Sequence, residues 1–194
     1  GKIRLFYDFF GEDNIANTAE TRLLGPFVVG GQGNAETDAG VPTIAGVVSG
    51  AGRITTTDEA DHCTMVGTNT GFSASLTGAI VLEARVQLDN LDTKEVFFGL
   101  SDIDPNTLNL EGALIHGAGT TIALTASDLC GFLLSAELTD DEDWHMVYNG
   151  GSTTGETDST AIDADDDAVA GEWQVLRLEI DTNGTARWYI DGIL

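Results

Sequence analysis

The residues best placed to do chemistry lie near the end of the chain, in "LEIDTNGTARWYIDG" (178–192). Glu179 and Asp181 are two positions apart, so on a strand they share one face. Two carboxyls on one face are the starting material for glycoside hydrolysis, in which one protonates the leaving oxygen and the other attacks. A retaining mechanism holds them about 5–5.5 Å apart across the bond being cut. The acids stop there, however. Asn183 and Gly184 stand four and five residues after Glu179, so neither of those positions supplies a further acid. The upstream candidates "AELTDDEDW" (136–144) and "LEARVQLD" (82–89) do not reproduce the glycosidase motif either. Glu179 therefore reads as scaffold.

The element that positions Glu179 is a hairpin centred on Asn183-Gly184. A two-residue loop would set Ile180 against Arg187 and mix the two faces. A three-residue loop, Thr182-Asn183-Gly184, places Gly184 where a left-handed backbone is needed. It also pairs Ile180 with Ala186, Leu178 with Trp188 and Leu176 with Ile190. A slip of one residue would reverse every side chain, so this apolar match fixes the register. It leaves Glu179 opposite Arg187 on the outer face, with Tyr189 beside Arg187. Trp188 falls on the core side.

Upstream, "AIVLEARVQL" (79–88) alternates with period two, Ile80, Leu82, Ala84, Val86 and Leu88 on one face. This is a strand with one buried and one wet face. "EVFFGL" follows, and 79–100 reads as a second hairpin. "GFLLSAEL" (131–138) puts Phe132, Leu134, Ala136 and Leu138 together, and "DWHMVY" (143–148) puts Trp144, Met146 and Tyr148 together. Short strands separated by Gly, Asn, Asp and Thr turns predict an all-β fold: a two-sheet antiparallel β-sandwich in a single domain over 1–194. Residues 149–171 carry small, polar and acidic side chains and read as a long exposed acidic loop.

Composition bounds the function. Thirty-two acids against eight Lys and Arg give a net charge of −24, which opposes nucleic-acid or anionic-membrane partners. No apolar run approaches the ~18 residues that cross a bilayer. The first residues, "GKIRLFYDFFG", lack a signal peptide's apolar stretch, while the missing initiator Met points to processing or trimming. Cys63 and Cys130 sit in alternating runs as buried free thiols, with no zinc spacing.

"DADDDAVAG" (163–171) offers Asp163, Asp165 and Asp167 at alternate positions as a calcium candidate. An EF-hand would need Gly and Glu where Ala168 and Gln174 stand, so only a different kind of loop site fits, and solvated charge is the plainer reading. Calcium is thus the one cofactor the residues leave open, and otherwise none is expected. "SDIDPN" (101–106) is a second cation-binding candidate that ordinary turn chemistry also explains. His62, His116 and His145 have no nucleophile-elbow partner. Trp144, Tyr148, Trp173, Trp188 and Tyr189 are candidate aromatic contacts for a sugar or a protein, Trp188 reading as core; of these, Tyr189 with Arg187, and Trp144, are the selected partner or glycan contacts.

Three segments carry a family resemblance: "EWQVLRLEIDTNGTARWYIDGIL" (172–194), "VFFGLSD" (96–102) and "LFYDFFG" (5–11). The first resembles the late hairpin of concanavalin A-like (laminin-G-like) jelly rolls, with its W-Y-x-D-G phrase. The other two are similar to phrases of such domains on tailed-phage particles. The resemblance implies a non-enzymatic virion structural protein, a capsid decoration or surface subunit of a tailed phage. Its expected partners are other virion proteins and its own copies, and its expected location is the virion surface. In that family the first strand commonly lies beside one that follows the W-Y-x-D-G hairpin. This sequence stops two residues after Gly192, so either a C-terminal strand is missing or an edge is left for another subunit. The alternative is a secreted or extracellular lectin-like carbohydrate-binding module, calcium-dependent in one version.

Overall fold

The computed structural model describes residues 4–6, 22–24, 27–31, 51–54, 63–68, 71–104 and 108–194. The chain forms two compact units, one of 1–70 with 103–113 and one of 71–102 with 114–194. The first contains an antiparallel sheet of β1 (Arg22–Leu24), β2 (Phe27–Gly30) and β3 (Met65–Gly67), in that order. There the buried Cys63 thiol donates to the Leu108 carbonyl at 3.1 Å. The "LFYDFFG" opening strand lies outside the described residues except for Leu5 and Phe6, which are in no strand, and His62 lies outside them too.

The second unit opens with a single helical turn, α1 (Ala74–Thr77), and continues through β4 (Ile80–Gln87) and β5 (Glu95–Ser101). Then come β6 (Ile115–Ala118), β7 (Thr121–Leu124), β8 (Leu129–Ser135) and β9 (Asp143–Asn149). A 3-10 turn at Ser159–Ala161 precedes β10 (Asp163–Asp167), β11 (Trp173–Ile180) and β12 (Ala186–Ile190). The strands build a four-stranded sheet in the order β10-β9-β8-β5, a three-stranded sheet β12-β11-β4 and a two-stranded ribbon β6-β7. Every ladder in them is antiparallel. The all-β expectation holds.

Both larger sheets contribute to one apolar cluster. Phe132 and Leu134 of β8 and Trp144 of β9 meet Leu176 and Leu178 of β11 and Ile190 of β12, with Leu82, Val86, Val96 and Phe98 packed around them. The Phe132 ring lies stacked on Phe98 and edge-on to Trp144, both at 6.3 Å. Each buried aromatic of this kind stabilises by roughly 1.5–3 kcal/mol through area alone. Two polar bonds join the sheets inside the cluster. Trp188 Nε1 donates to the Gly131 carbonyl at 2.7 Å, and Trp144 Nε1 to Gln174 Oε1 at 2.9 Å.

Three readings change here. First, 79–100 is not a hairpin: β4 pairs with β11 and β5 with β8, so the chain changes sheets between them. In-phase apolar positions show that both strands face the core; they do not name the neighbour. Second, β8 ends at Ser135, and Leu138 packs beside Gly117 of β6 rather than beside Phe132. Strand β8 is buried on both faces: Leu129, Leu133 and Ser135 are enclosed on one and Phe132 and Leu134 on the other, and Gly117 of β6 lies beside Ser135. Third, 149–171 is not loop throughout, since it contains the 3-10 turn and β10, which pairs with β9.

Candidate functional site

The β11–β12 hairpin has the expected register: Leu176 with Ile190, Leu178 with Trp188, Ile180 with Ala186, and Glu179 with Arg187. Asp181 and Thr185 close the loop through Asp181 N to Thr185 O at 2.9 Å, and Gly184 takes the left-handed backbone at φ +86°. The outer face of this sheet carries Val81, Glu83, Arg85 and Gln87 of β4 against Trp173, Val175, Arg177 and Glu179 of β11. Strand β12 adds Arg187 and Tyr189.

Charge on this face is organised around arginine. Arg177 donates from Nε and Nη2 to Glu179 Oε1 at 2.8 and 2.5 Å, and from Nη1 to Glu83 Oε2 at 2.8 Å. One guanidinium therefore bridges the two carboxylates. These bonds, to Glu83 first and Glu179 second, hold Arg177 above its already high ordinary pKa. Arg187 faces Glu179 but bonds Asp181 Oδ2 at 2.8 Å, which raises its pKa likewise. Arg85 lies over the Trp173 ring at 4.6 Å, a cation–π contact that covers one ring face. Arg177, the residue that immobilises Glu179, was not singled out by sequence reasoning. Its signal was its position two residues before the acid, on the same strand face.

The acidic edge lies on the other sheet. Cross-strand pairs Asp163–His145 and Asp167–Asp143 are separated by a bulge, with Asp165 at φ +55° and its N–H bonded to Asp163 Oδ1 at 2.8 Å. The bulge brings Asp163 and Asp167 onto the face of Asp143 and leaves Asp165 apart. The three predicted ligands are not assembled: their carboxylates do not lie within common reach of one ion. What forms instead is a carboxyl pair. Burial pushes Asp143 up to about 7, helped by its bond to Asp167 and the charges of Asp163, Asp167 and Asp140. His145, two residues on, is fully enclosed, and its ring nitrogens make no hydrogen bond of good geometry, only looser approaches to the backbone of Leu133 and Asp143. Burial lowers its pKa against the raising pull of Asp163.

Trp144 is removed from the surface contacts. It has no exposure, sits in the core and spends its N–H on Gln174, so it offers no platform to a sugar or a protein. Its period with Met146 and Tyr148 explains this, since Tyr148 also turns inward, 6.5 Å from Trp188. Tyr189 and Arg187 remain on the outer face as expected. His116 stands between two acids, 3.5 Å from Glu95 Oε2 and 3.9 Å from Glu137 Oε2. Glu95 is raised by burial, while the Gly117 N–H, at 2.8 Å, opposes the shift. Cys130 is a free, half-buried thiol pushed up to about 12 by burial, so its nucleophilic form is suppressed. In "SDIDPN", Asp102 Oδ1 accepts the Asp128 N–H; Pro105 and Asn106 lie outside the described residues. Among the described residues no helix is long and apolar enough to cross a membrane.

Comparison of the chain with family models, curated proteins and solved structures finds no match.

Proposed function

We propose that the chain is a non-enzymatic structural protein, a capsid decoration or surface subunit of a tailed-phage virion built on a concanavalin A-like jelly roll. The observation that carries the non-enzymatic part is Arg177 seated between Glu83 and Glu179. Glu179 is tied to Arg177 and Asp181 to Arg187, so each acid of the sequence's candidate pair is occupied by its own arginine, which supports a scaffold role for both. The jelly-roll reading is supported by two antiparallel sheets sharing one core and by the W-Y-x-D-G hairpin in its expected register. The virion assignment rests on the resemblance of the three segments.

The charge distribution suits such a subunit. Three of the eight cationic residues, Arg85, Arg177 and Arg187, stand on the outer face of the β12-β11-β4 sheet, where they offset its acids. In a chain of net charge −24 this is a face on which capsid subunits or further copies can pack without strong repulsion. Immunogold labelling of gradient-purified particles with an antibody to the recombinant chain tests this. Label on the shell is expected; label confined to the soluble fraction would overturn it.

A further inference from the structure

We propose that Asn183, at the tip of the β11–β12 hairpin, is a site of self-modification: its carboxamide is lost through a cyclic imide, leaving aspartyl and isoaspartyl residues in the loop. The reaction needs only the hairpin and water, and it is independent of the virion assignment.

Two Asn-Gly steps occur in the chain, Asn149-Gly150 and Asn183-Gly184. Glycine offers a preceding carboxamide the least hindered backbone nitrogen, so both steps have the right chemistry, and the fold separates them. Asn183 is exposed, and its Oδ1 accepts the Thr185 N–H at 3.2 Å. A bond from a side chain to the N–H two residues on folds the carboxamide back over the intervening peptide, which here is that of Gly184. The same N–H polarises the carboxamide carbonyl and stabilises the oxyanion that forms there during attack. Gly184 stands at φ +86°, and a Cβ built on it meets nothing within 4 Å, so solvent reaches this peptide. One contact acts as a brake: the Gly184 N–H donates to the Asp181 carbonyl at 2.9 Å and must let go before its nitrogen can attack.

Asn149 is held the other way. It is half-buried, its Nδ2 donates to the Ala126 carbonyl at 2.9 Å, and its Oδ1 accepts the Gly155 N–H at 3.4 Å. Both ends of this carboxamide are therefore tied to residues other than its glycine neighbour. The space beside Gly150 is closed as well, since a Cβ there would overlap Asp128 Oδ1.

The steps balance without a redox partner. Hydroxide removes the Gly184 amide proton, and the nitrogen attacks Asn183 Cγ. The new C–N bond forms as the Cγ–Nδ2 bond breaks, and Nδ2 leaves as ammonia after taking a proton from water. Water then opens the five-membered imide at either carbonyl. Opening at Cγ restores the ordinary main chain with aspartate at 183; opening at the backbone carbonyl routes the main chain through Cβ. The first product adds a carboxylate two residues from Asp181, the partner of Arg187. The second adds one atom to a loop that the Asp181 N–H closes onto the Thr185 carbonyl at 2.9 Å, and so breaks the fit of its three residues.

The test is peptide mapping by mass spectrometry of the whole chain, held for weeks at 37 °C and pH 8.5, folded or in urea. In the folded chain Asn183 should lose its amide at least tenfold faster than Asn149, giving both products. In urea the two should react at similar rates, because the fold no longer distinguishes them. The isolated isoaspartyl form should unfold at a lower temperature than Asn183→Asp, which carries the same charge on an ordinary main chain. Asn149 reacting as fast as Asn183 in the folded chain would overturn the proposal. So would an Asn183 that stays intact when folded but reacts in urea. Equal unfolding temperatures for the isoaspartyl form and Asn183→Asp would overturn the claimed damage to the loop.

Discussion

Arg177 holds Glu179 through two N–H donors on one strand face, at 2.8 and 2.5 Å, although Arg187 is the residue that faces Glu179 across the ladder. The geometry favours the same-strand neighbour because Arg187 is already drawn to Asp181. Both arginines are solvent-accessible, so the pairs organise the surface more than they stabilise it. A double-mutant cycle on Arg177 and Glu179, read by denaturant unfolding, should give a coupling of roughly 0.2–1 kcal/mol that fades at high salt.

The Asp143–Asp167 pair gives stability an unusual pH dependence. Because folding raises Asp143 to about 7, the folded state holds a proton that the unfolded state has released. Stability from this group is therefore present at low pH and lost as pH rises from about 4 towards 7. Asp143→Asn should remove that trend and stabilise the protein at pH 8 by about 1 kcal/mol, the full shift being discounted for the partial exposure of the pair. Thermal unfolding of both proteins between pH 5 and 8 checks it.

His145 acts in the opposite sense. Its folded pKa lies below the unfolded value near 6.5, so the unfolded state gains protons first and stability falls as pH drops below about 6.5. Asp163, the backbone of Leu133 and Asp143, and Asp140 all oppose the lowering. In the Asp143→Asn protein this acid limb should stand out more steeply, and His145→Leu should flatten it. An unchanged acid limb in the double variant would show that another group controls it.

Gly99 and Gly131 face each other across the β5–β8 ladder, and the Phe97 ring lies over both. A Cβ on Gly131 would overlap the Phe98 carbonyl. Gly131→Ala should cost about 1–3 kcal/mol or more by overpacking, seen as a lowered Tm with the fold retained at low temperature.

The parts of this architecture visible in sequence are those fixed by local pattern. Asn183-Gly184 and the apolar period around it dictate one register, and β4 alternates half-buried and exposed along its whole length as its residues require. What stayed hidden depends on neighbours. "LCGFLLS" is enclosed on both faces, and nothing inside the run names what covers the second one. The alternate spacing of Asp163, Asp165 and Asp167 suggested one ligand face, but the bulge at Asp165 separates that residue from the other two. Trp144 shares a face with Met146 and Tyr148 in sequence, but that period does not say whether the face meets solvent or core; the packing against Phe132 decides it.

The sharpest test is hydrolysis of a panel of β-glucans by the wild-type protein and by Glu179→Gln, read as reducing ends released. With Arg177 bridging Glu83 and Glu179, neither protein should release sugar above background, and the substitution should leave the fold intact. Turnover by the wild type that disappears in Glu179→Gln would contradict the scaffold role of this residue and with it the non-enzymatic reading.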